Sequence, residues 1–169
     1  MDPNMCAALF LAAGAAWMDL RRAEVDNGWL LFWLAAGVAV QVIRAGPGAL
    51  LPCLAGMAVP LFLLFPFFYF RMLGAGDIKT LAVLGSLIGC KAVLPCLLFT
   101  FLFGAVLSVC MFLFFGGFRS RMQYLAVWLQ DLLQTGQRRP YLRSGVREES
   151  LHMTIPILMA VLLRSGGWY

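Results

Sequence analysis

Two aspartates stand where apolar segments of the chain end or begin, and their placement suggests chemistry. Asp19 follows a first apolar run, and Asp77 precedes a later one in the stretch YFRMLGAGDIKTLAVLG. Two partly desolvated carboxylates that lie close together cannot both ionise cheaply, so they share a proton and titrate as a coupled pair. Such a pair can activate water as a base and protonate a leaving amine as an acid. The two residues therefore indicate hydrolysis of a peptide bond, provided that the fold brings them together.

Each aspartate also has a purely structural interpretation, which the residues alone leave open. Aspartate is a favoured helix N-cap, and Asp77 precedes a predicted helix. Asp19 can pair with Arg22, three residues further on. The glycines of GAGD favour the catalytic interpretation, because Gly74 and Gly76 allow positive φ and a close approach of backbone. A loop that admits an extended substrate beside the aspartate needs both properties.

Asp26 competes with Asp19 for the second place in the pair, since both belong to the same loop region. The first apolar run covers only about 21 Å of a hydrocarbon core of about 30 Å, so Asp19 is expected to be partly desolvated. Asp26 stands beside Asn27 and Gly28, where it is expected to cap the second helix. A catalytic carboxylate needs a fixed, partly dry position, so we predict that Asp19 and Asp77 form the pair.

Neither a metal nor a cofactor is indicated. The five cysteines are an odd number in apolar sequence and contain no CxxC pair. They therefore predict neither a disulfide framework nor a zinc site. His152 is the single histidine. One histidine cannot form a metal site or a triad here, and we interpret it as structural or interfacial.

The composition is that of a membrane protein. Of the 169 residues, 62% are hydrophobic and 12% are charged, and the mean hydropathy is +0.86. Soluble domains carry about twice this charged fraction. The N-terminal run has Asp2 and no basic residue before its apolar part, which is the wrong order for a cleaved signal peptide. No polar linker separates two units, so we predict a single membrane-embedded domain over residues 1–169.

Apolar runs with few charges predict an all-α, polytopic fold with six transmembrane helices. The division between the fourth and fifth helices rests on Lys91, because a lysine at mid-bilayer is costly, and Pro95 suits the start of a new helix. The segments are Met5–Met18, Trp29–Ile43, Ala49–Phe70, Ile78–Gly89, Ala92–Phe115 and Met153–Leu163.

The basic residues predict the orientation of these helices. With the N-terminus outside, Arg44, Lys91 and Arg164 lie on the outer side, and the other ten of the 13 basic residues face the cytoplasm. The net charge of +5 then reflects membrane orientation and requires no nucleic acid. The same parity places Asp19 and Asp77 together on the cytoplasmic side.

The long loop between the fifth and sixth segments, about Arg119–Leu151, carries apolar residues at helical spacing. We predict a cytoplasmic amphipathic helix in it, which lies in the membrane interface or packs on the protein's own cytoplasmic face. The spaced residues are Leu125, Trp128, Leu129, Leu132 and Leu133.

The sequence resembles a known family, the type IV prepilin peptidases, which are membrane aspartyl proteases of the GxGD class. GAGDIK, with Asp77, resembles the family's second catalytic motif. DLRRAEVDNGWL resembles the first motif, in which Asp19 matches the aspartate, Val25 an isoleucine and Asn27 the asparagine. Asp26 stands where the family usually has a proline, which loosens the turn and adds a carboxylate.

The resemblance extends over nearly the whole chain, since MTIPILMAVLLRSGG with Pro156 is similar to the family's last helix. The chain has no room for the N-methyltransferase insert of larger members. It is therefore most similar to the compact branch, which includes Flp or tight-adherence prepilin peptidases and preflagellin peptidases.

The resemblance implies an aspartic endopeptidase of the cell inner (cytoplasmic) membrane, with its active site facing the cytoplasm. The implied substrate is a pilin-like precursor with a short basic leader and an apolar helix, cut in type IV pilus assembly and secretion. Lipid is the other expected partner, and a homo-oligomer is left open. The catalytic residues would be Asp19 and Asp77, with an active-site loop of Gly74, Gly76, Lys79, Asn27 and Asp26.

Lys79 has several interpretations. It lies about 200° round a helix from Asp77, so no pairing between them is expected. It can bind a lipid phosphate or a substrate acid, or anchor the orientation of the helix.

Two alternatives come from another class of protein, namely a non-enzymatic membrane scaffold and a small transporter. A transporter should show polar groups or broken helices near mid-membrane, repeated in two halves. The chain shows no such repeat, and its acids stand at helix ends. The presenilin branch of GxGD proteases also requires a Pro-Ala-Leu motif, which is missing.

Overall fold

The computed structural model describes residues 3–70, 72–115 and 152–168, and positions 123, 126, 127, 130 and 134. The three described ranges contain six α-helices and no β-strand. A 3-10 turn, Pro47–Ala49, leads into the third helix. The helices are α1 (Pro3–Arg22), α2 (Asn27–Ala45), α3 (Leu50–Tyr69), α4 (Ala75–Ile88), α5 (Cys90–Phe115) and α6 (Thr154–Ser165).

The six predicted segments correspond to these six helices, but two details differ. Helix α4 begins at Ala75, before Asp77, so Asp77 lies in its first turn and is not its N-cap. A single residue, Gly89, separates α4 from α5. Its φ of 83° is readily adopted only by glycine. Pro95 therefore lies inside α5 and does not start it.

Three helical segments in the described part are long and apolar enough to cross a membrane, namely Asn27–Ala45, Pro47–Tyr69 and Cys90–Met111. Helix α6 is apolar but shorter. Large apolar side chains on α3 are exposed, including Phe62 at 82% and Phe65 at 60%, as expected of a surface that faces lipid. Six crossings and an outside N-terminus stay predictions. The residues that define the predicted amphipathic helix lie outside the described part.

Helix α4 is the central element of the bundle. It packs against α1, α2, α3 and α5, and its buried side chains cover every face of the helix rather than a single stripe. A helix that is apolar all round is stable only when neighbours enclose it. The buried positions are Ile78 and the run from Thr80 to Leu87.

Glycines allow the closest helix contacts in this core. Gly56 on α3 and Gly85 on α4 face each other so closely that a Cβ on either would collide with the other's carbonyl oxygen. A side chain at Gly37 on α2 would likewise collide with Leu87. Beside that contact, the Gln41 amide donates a 2.8 Å hydrogen bond to the Ser86 carbonyl. These contacts fix α4 relative to α2 and α3.

Candidate active site

Asp19 lies in the last turn of α1, and α6 holds its side chain. Helix α1 ends at Arg22, followed by Ala23 with φ 53°, whose N–H donates to the Asp19 carbonyl over 2.7 Å. The Thr154 hydroxyl donates to Oδ2 of Asp19 over 2.6 Å. Nδ1 of His152 lies 3.2 Å from the same oxygen. Asp19 therefore lies against His152, and among the described residues the structure gives no ion pair between Asp19 and Arg22.

Asp77 occupies the third position of α4, and Gly74 is the N-cap. The Gly74 backbone N–H is hydrogen-bonded to the Asp77 carboxylate, so the acid reaches back to cap its own helix. This is one half of the reciprocal arrangement known as a capping box. The structural role suggested by the sequence is thus present, but it operates from inside the helix.

The two glycines of GAGD act differently from the prediction. Neither has positive φ, because Gly74 is extended (φ −68°, ψ 144°) and Gly76 is helical. The expected close approach applies to Gly74, where a Cβ would lie 3.1 Å from Oδ2 of Asp77. A Cβ at Gly76 would only reach Val25, at 3.8 Å and 3.9 Å, which is ordinary contact. Gly74 therefore leaves room for the carboxylate.

Asp19 and Asp77 line one cavity with a volume of about 520 Å³. Phe67 of α3 and Phe101 of α5 form part of its apolar wall, with ring centroids 5.8 Å apart. His152 also belongs to the lining. The cavity thus joins two carboxylates from separate helices to an apolar surface.

The surroundings of Asp77 favour its protonated form. Asp77 precedes the apolar run that begins at Ile78, and its side chain is only partly exposed. Burial, followed by the negative charge of Asp19, raises the pKa of Asp77 to about 7. The Gly74 hydrogen bond and the charge of His152 oppose this rise in pKa. At neutral pH the site can therefore hold one proton on Asp77.

The remaining predicted loop residues lie beside the cavity rather than in its described lining, which includes Gly74 but not Gly76. Asp26 is the N-cap of α2, and its Oδ1 accepts a 3.1 Å hydrogen bond from the Gly28 N–H. The predicted cap is confirmed. The Lys79 ammonium donates to Oδ1 of Asn27 over 3.0 Å. These residues connect the starts of α2 and α4.

Thr154 was not among the predicted site residues, and His152 was interpreted only as structural or interfacial. Thr154 is 1% exposed, and His152 belongs to the cavity lining. The only available signal was that both polar residues stand at the start of an apolar segment. Among the described residues, no group of three or more histidines, cysteines or acids is arranged to hold a metal ion.

Comparison with known proteins identifies the family. The model of the type IV leader peptidase family matches residues 5–109, a range that includes both aspartates and more than half of the chain. The chain therefore belongs to the type IV leader peptidase family, and it is a peptidase. With its long apolar helices, it is a membrane protein. Comparisons with curated proteins and with solved structures gave no match.

Proposed function

We propose that this protein is a membrane aspartyl endopeptidase that removes the short basic leader from type IV pilin-like precursors. The observation that carries the proposal is the shared cavity of Asp19 and Asp77. The raised pKa of Asp77, about 7, supports a pair that holds one proton at neutral pH. Such a pair needs no metal to activate water.

The contacts of Asp19 support different roles for the two acids. The Thr154 hydroxyl donates to Oδ2 of Asp19 and Nδ1 of His152 lies against the same oxygen, which suits an ionised carboxylate, since that group only accepts hydrogen bonds. Asp19 takes a proton from water while the water oxygen bonds to the scissile carbonyl carbon. Asp77 gives its proton to the carbonyl oxygen. When the resulting diol collapses, Asp19 gives its proton to the amide nitrogen as the C–N bond breaks, and one diol hydroxyl gives its proton to Asp77, so the pair again holds one proton.

The walls of the cavity support a precursor that is apolar on one side of the cut. Phe67, Phe101 and Met153 offer apolar contacts beside the aspartates. Glu24 and Asp26 are exposed on the loop after α1 and suit a basic leader. An apolar helix of the precursor would stay in the lipid of the inner membrane while the leader lies at its cytoplasmic face.

The test compares three aspartate variants on a precursor peptide in detergent. Asp19→Asn and Asp77→Asn should each lower kcat by about 10³-fold or more, because each removes one partner of the proton exchange. Asp26→Asn is the matched control in the same loop. It should keep most activity, with at most a salt-sensitive rise in KM.

Different outcomes identify different errors. An active Asp19→Asn, or an inactive but folded Asp26→Asn, would show that the proposed partner of Asp77 is wrong. Full activity in both Asp19→Asn and Asp77→Asn would exclude an aspartyl mechanism. Cleavage should also persist with a metal chelator. Loss of activity that zinc restores would likewise exclude an aspartyl mechanism.

A further inference from the structure

The sixth helix contributes to the site although none of its residues belongs to the proposed pair. Resting on the proposed function, we propose that Thr154 and His152 are positioning residues that fix the Asp19 carboxylate and set its charge environment. Thr154 is the first residue of α6 and His152 lies two residues before it; they follow Asp19 by 135 and 133 residues in the sequence. Helix α6 packs against both α1 and α5.

The geometry concerns one oxygen atom. The Thr154 hydroxyl at 2.6 Å and Nδ1 of His152 at 3.2 Å both lie on Oδ2 of Asp19. The Thr154 contact is a hydrogen bond, and the His152 contact is a close approach of the imidazole to the carboxylate. A carboxylate that is hydrogen-bonded to a buried hydroxyl at one oxygen, with an imidazole against the same oxygen, cannot rotate freely. Oδ1 is then the oxygen left for the attacking water.

Thr154 and His152 differ in burial, and this difference separates their roles. Thr154 is almost fully buried, and an unpaired buried hydroxyl is costly, so its hydrogen bond holds the carboxylate firmly. The His152 side chain is 32% exposed and the Asp19 side chain is 14% exposed. His152 thus stands at the cavity, where its charge acts on the pair.

His152 is the only basic side chain in the described cavity lining. On α1, Arg21 lies over the Trp17 ring at 4.2 Å. On α4, Lys79 is bonded to Asn27. Helices α3 and α5 contribute no titratable side chain to that lining, so the described titratable groups there are Asp19, Asp77 and His152.

The first experiment separates the hydroxyl from the shape of Thr154. Thr154→Val keeps the shape and removes the donor, whereas Thr154→Ser keeps the donor. Thr154→Val should lower kcat by about 10–100-fold with little change in KM, because the base is misplaced and substrate contacts remain. Thr154→Ser should stay within about threefold of the unchanged protein.

The second experiment separates the charge of His152 from its contact with Asp19. His152→Asn keeps an N–H near the position of Nδ1 but carries no charge. The charge of His152 lowers the pKa of Asp77, so its removal should move the alkaline limb of kcat/KM upward by about half a pH unit or more. A purely structural histidine would leave that limb in place.

A third measurement does not depend on activity. Because the chain has one histidine, protein labelled with ¹⁵N-histidine and purified without a histidine tag gives one pair of imidazole signals. The Nδ1 signal should change in Asp19→Asn and stay the same in Asp26→Asn. An unchanged signal in Asp19→Asn would overturn the contact itself.

The results also distinguish this inference from the function on which it rests. If Asp19→Asn is inactive but Thr154→Val and His152→Asn keep the original kcat and pH profile, the positioning role is wrong and the protease stands. If Asp19→Asn alone is active, Asp19 is not the partner of Asp77 and the positioning role falls with it; if Asp19→Asn and Asp77→Asn are both active, the proposed function fails. A Thr154→Ser variant as impaired as Thr154→Val would also overturn the role of the hydroxyl.

Discussion

The Lys79 ammonium group donates a 3.0 Å hydrogen bond to the side-chain oxygen of Asn27. Lys79 lies two residues after Asp77, and Asn27 is the first residue of α2. The bond therefore connects the beginning of α4, which carries Asp77, to the end of the loop that follows Asp19. Both residues are exposed, so the connection lies at the surface beside the cavity.

We predict that Lys79 acts through Asn27 rather than directly on a lipid or substrate. Lys79→Met and Asn27→Ala should each weaken activity slightly, and the double variant should be no worse than the stronger single one. The expected coupling is about 0.5–1.5 kcal/mol. Measuring kcat/KM for all four proteins gives this coupling, and additive effects would instead favour separate roles for Lys79 and Asn27.

Activity should decline at alkaline pH. Because burial and Asp19 raise the pKa of Asp77 to about 7, Asp77 holds its proton below that pH and loses it above. A pair without a proton has no acid, so kcat/KM should fall about tenfold per pH unit above the limb. A profile of kcat/KM from pH 5 to 9 measures this, and a flat profile up to pH 9 would contradict the assigned acid.

The two glycines of GAGD should differ in their tolerance of alanine. In Gly74→Ala the new Cβ would lie 3.1 Å from Oδ2 of Asp77, so the carboxylate must shift. We expect kcat to fall by about tenfold or more. Gly76→Ala is the control, since its Cβ meets only ordinary contacts and alanine favours a helix. A more damaging Gly76→Ala would point to close approach of substrate at Gly76.

Gly85 should tolerate no side chain. A Cβ there collides with the Gly56 carbonyl, which is backbone and cannot turn aside. Gly85→Ala should therefore cost about 1–3 kcal/mol of stability, visible as a lower Tm in detergent. Gly48→Ala, where a Cβ meets open space, should leave Tm nearly unchanged. Equal Tm values would show that α3 and α4 can separate without cost.

The orientation in the membrane can be tested with single cysteines after the five native ones are replaced. Glu24 and Gly48 are both exposed in the structure. With the N-terminus outside, a cysteine at Gly48 should react with an impermeant thiol reagent in whole cells, and one at Glu24 should be protected. The reverse pattern would place the aspartates on the outer side.

The sequence predicted the features that depend on local properties. Apolar runs locate the helices, and the two aspartates stand out because charges are rare there. The cap at Asp26 was also predictable, since it depends on a neighbour two residues away. The hydrogen bond of Lys79 was not predictable, because its partner Asn27 is 52 residues away in the sequence.

Contacts between distant helices escaped prediction for the same physical reason. Nothing near Asp19 in the chain indicates that Thr154 will meet it. Gly74 was singled out for positive φ and for close approach, and only the close approach applies; the sequence could not separate the two, because each calls for a glycine. The closeness of Gly56 to Gly85 depends on how α3 and α4 cross, which neither segment encodes alone.

The short central helix has a consequence for how the protein is made. Helix α4 has 14 residues, or about 21 Å, against a hydrocarbon core of about 30 Å. A segment this short is a poor candidate for independent release from the translocon into lipid. Helix α3 is longer, strongly apolar and joined to it by a short connection, so we expect the two to insert as a hairpin. The position of Asp77 in the membrane would then depend on the insertion of α3. A substitution that impairs insertion of α3 should therefore also abolish activity.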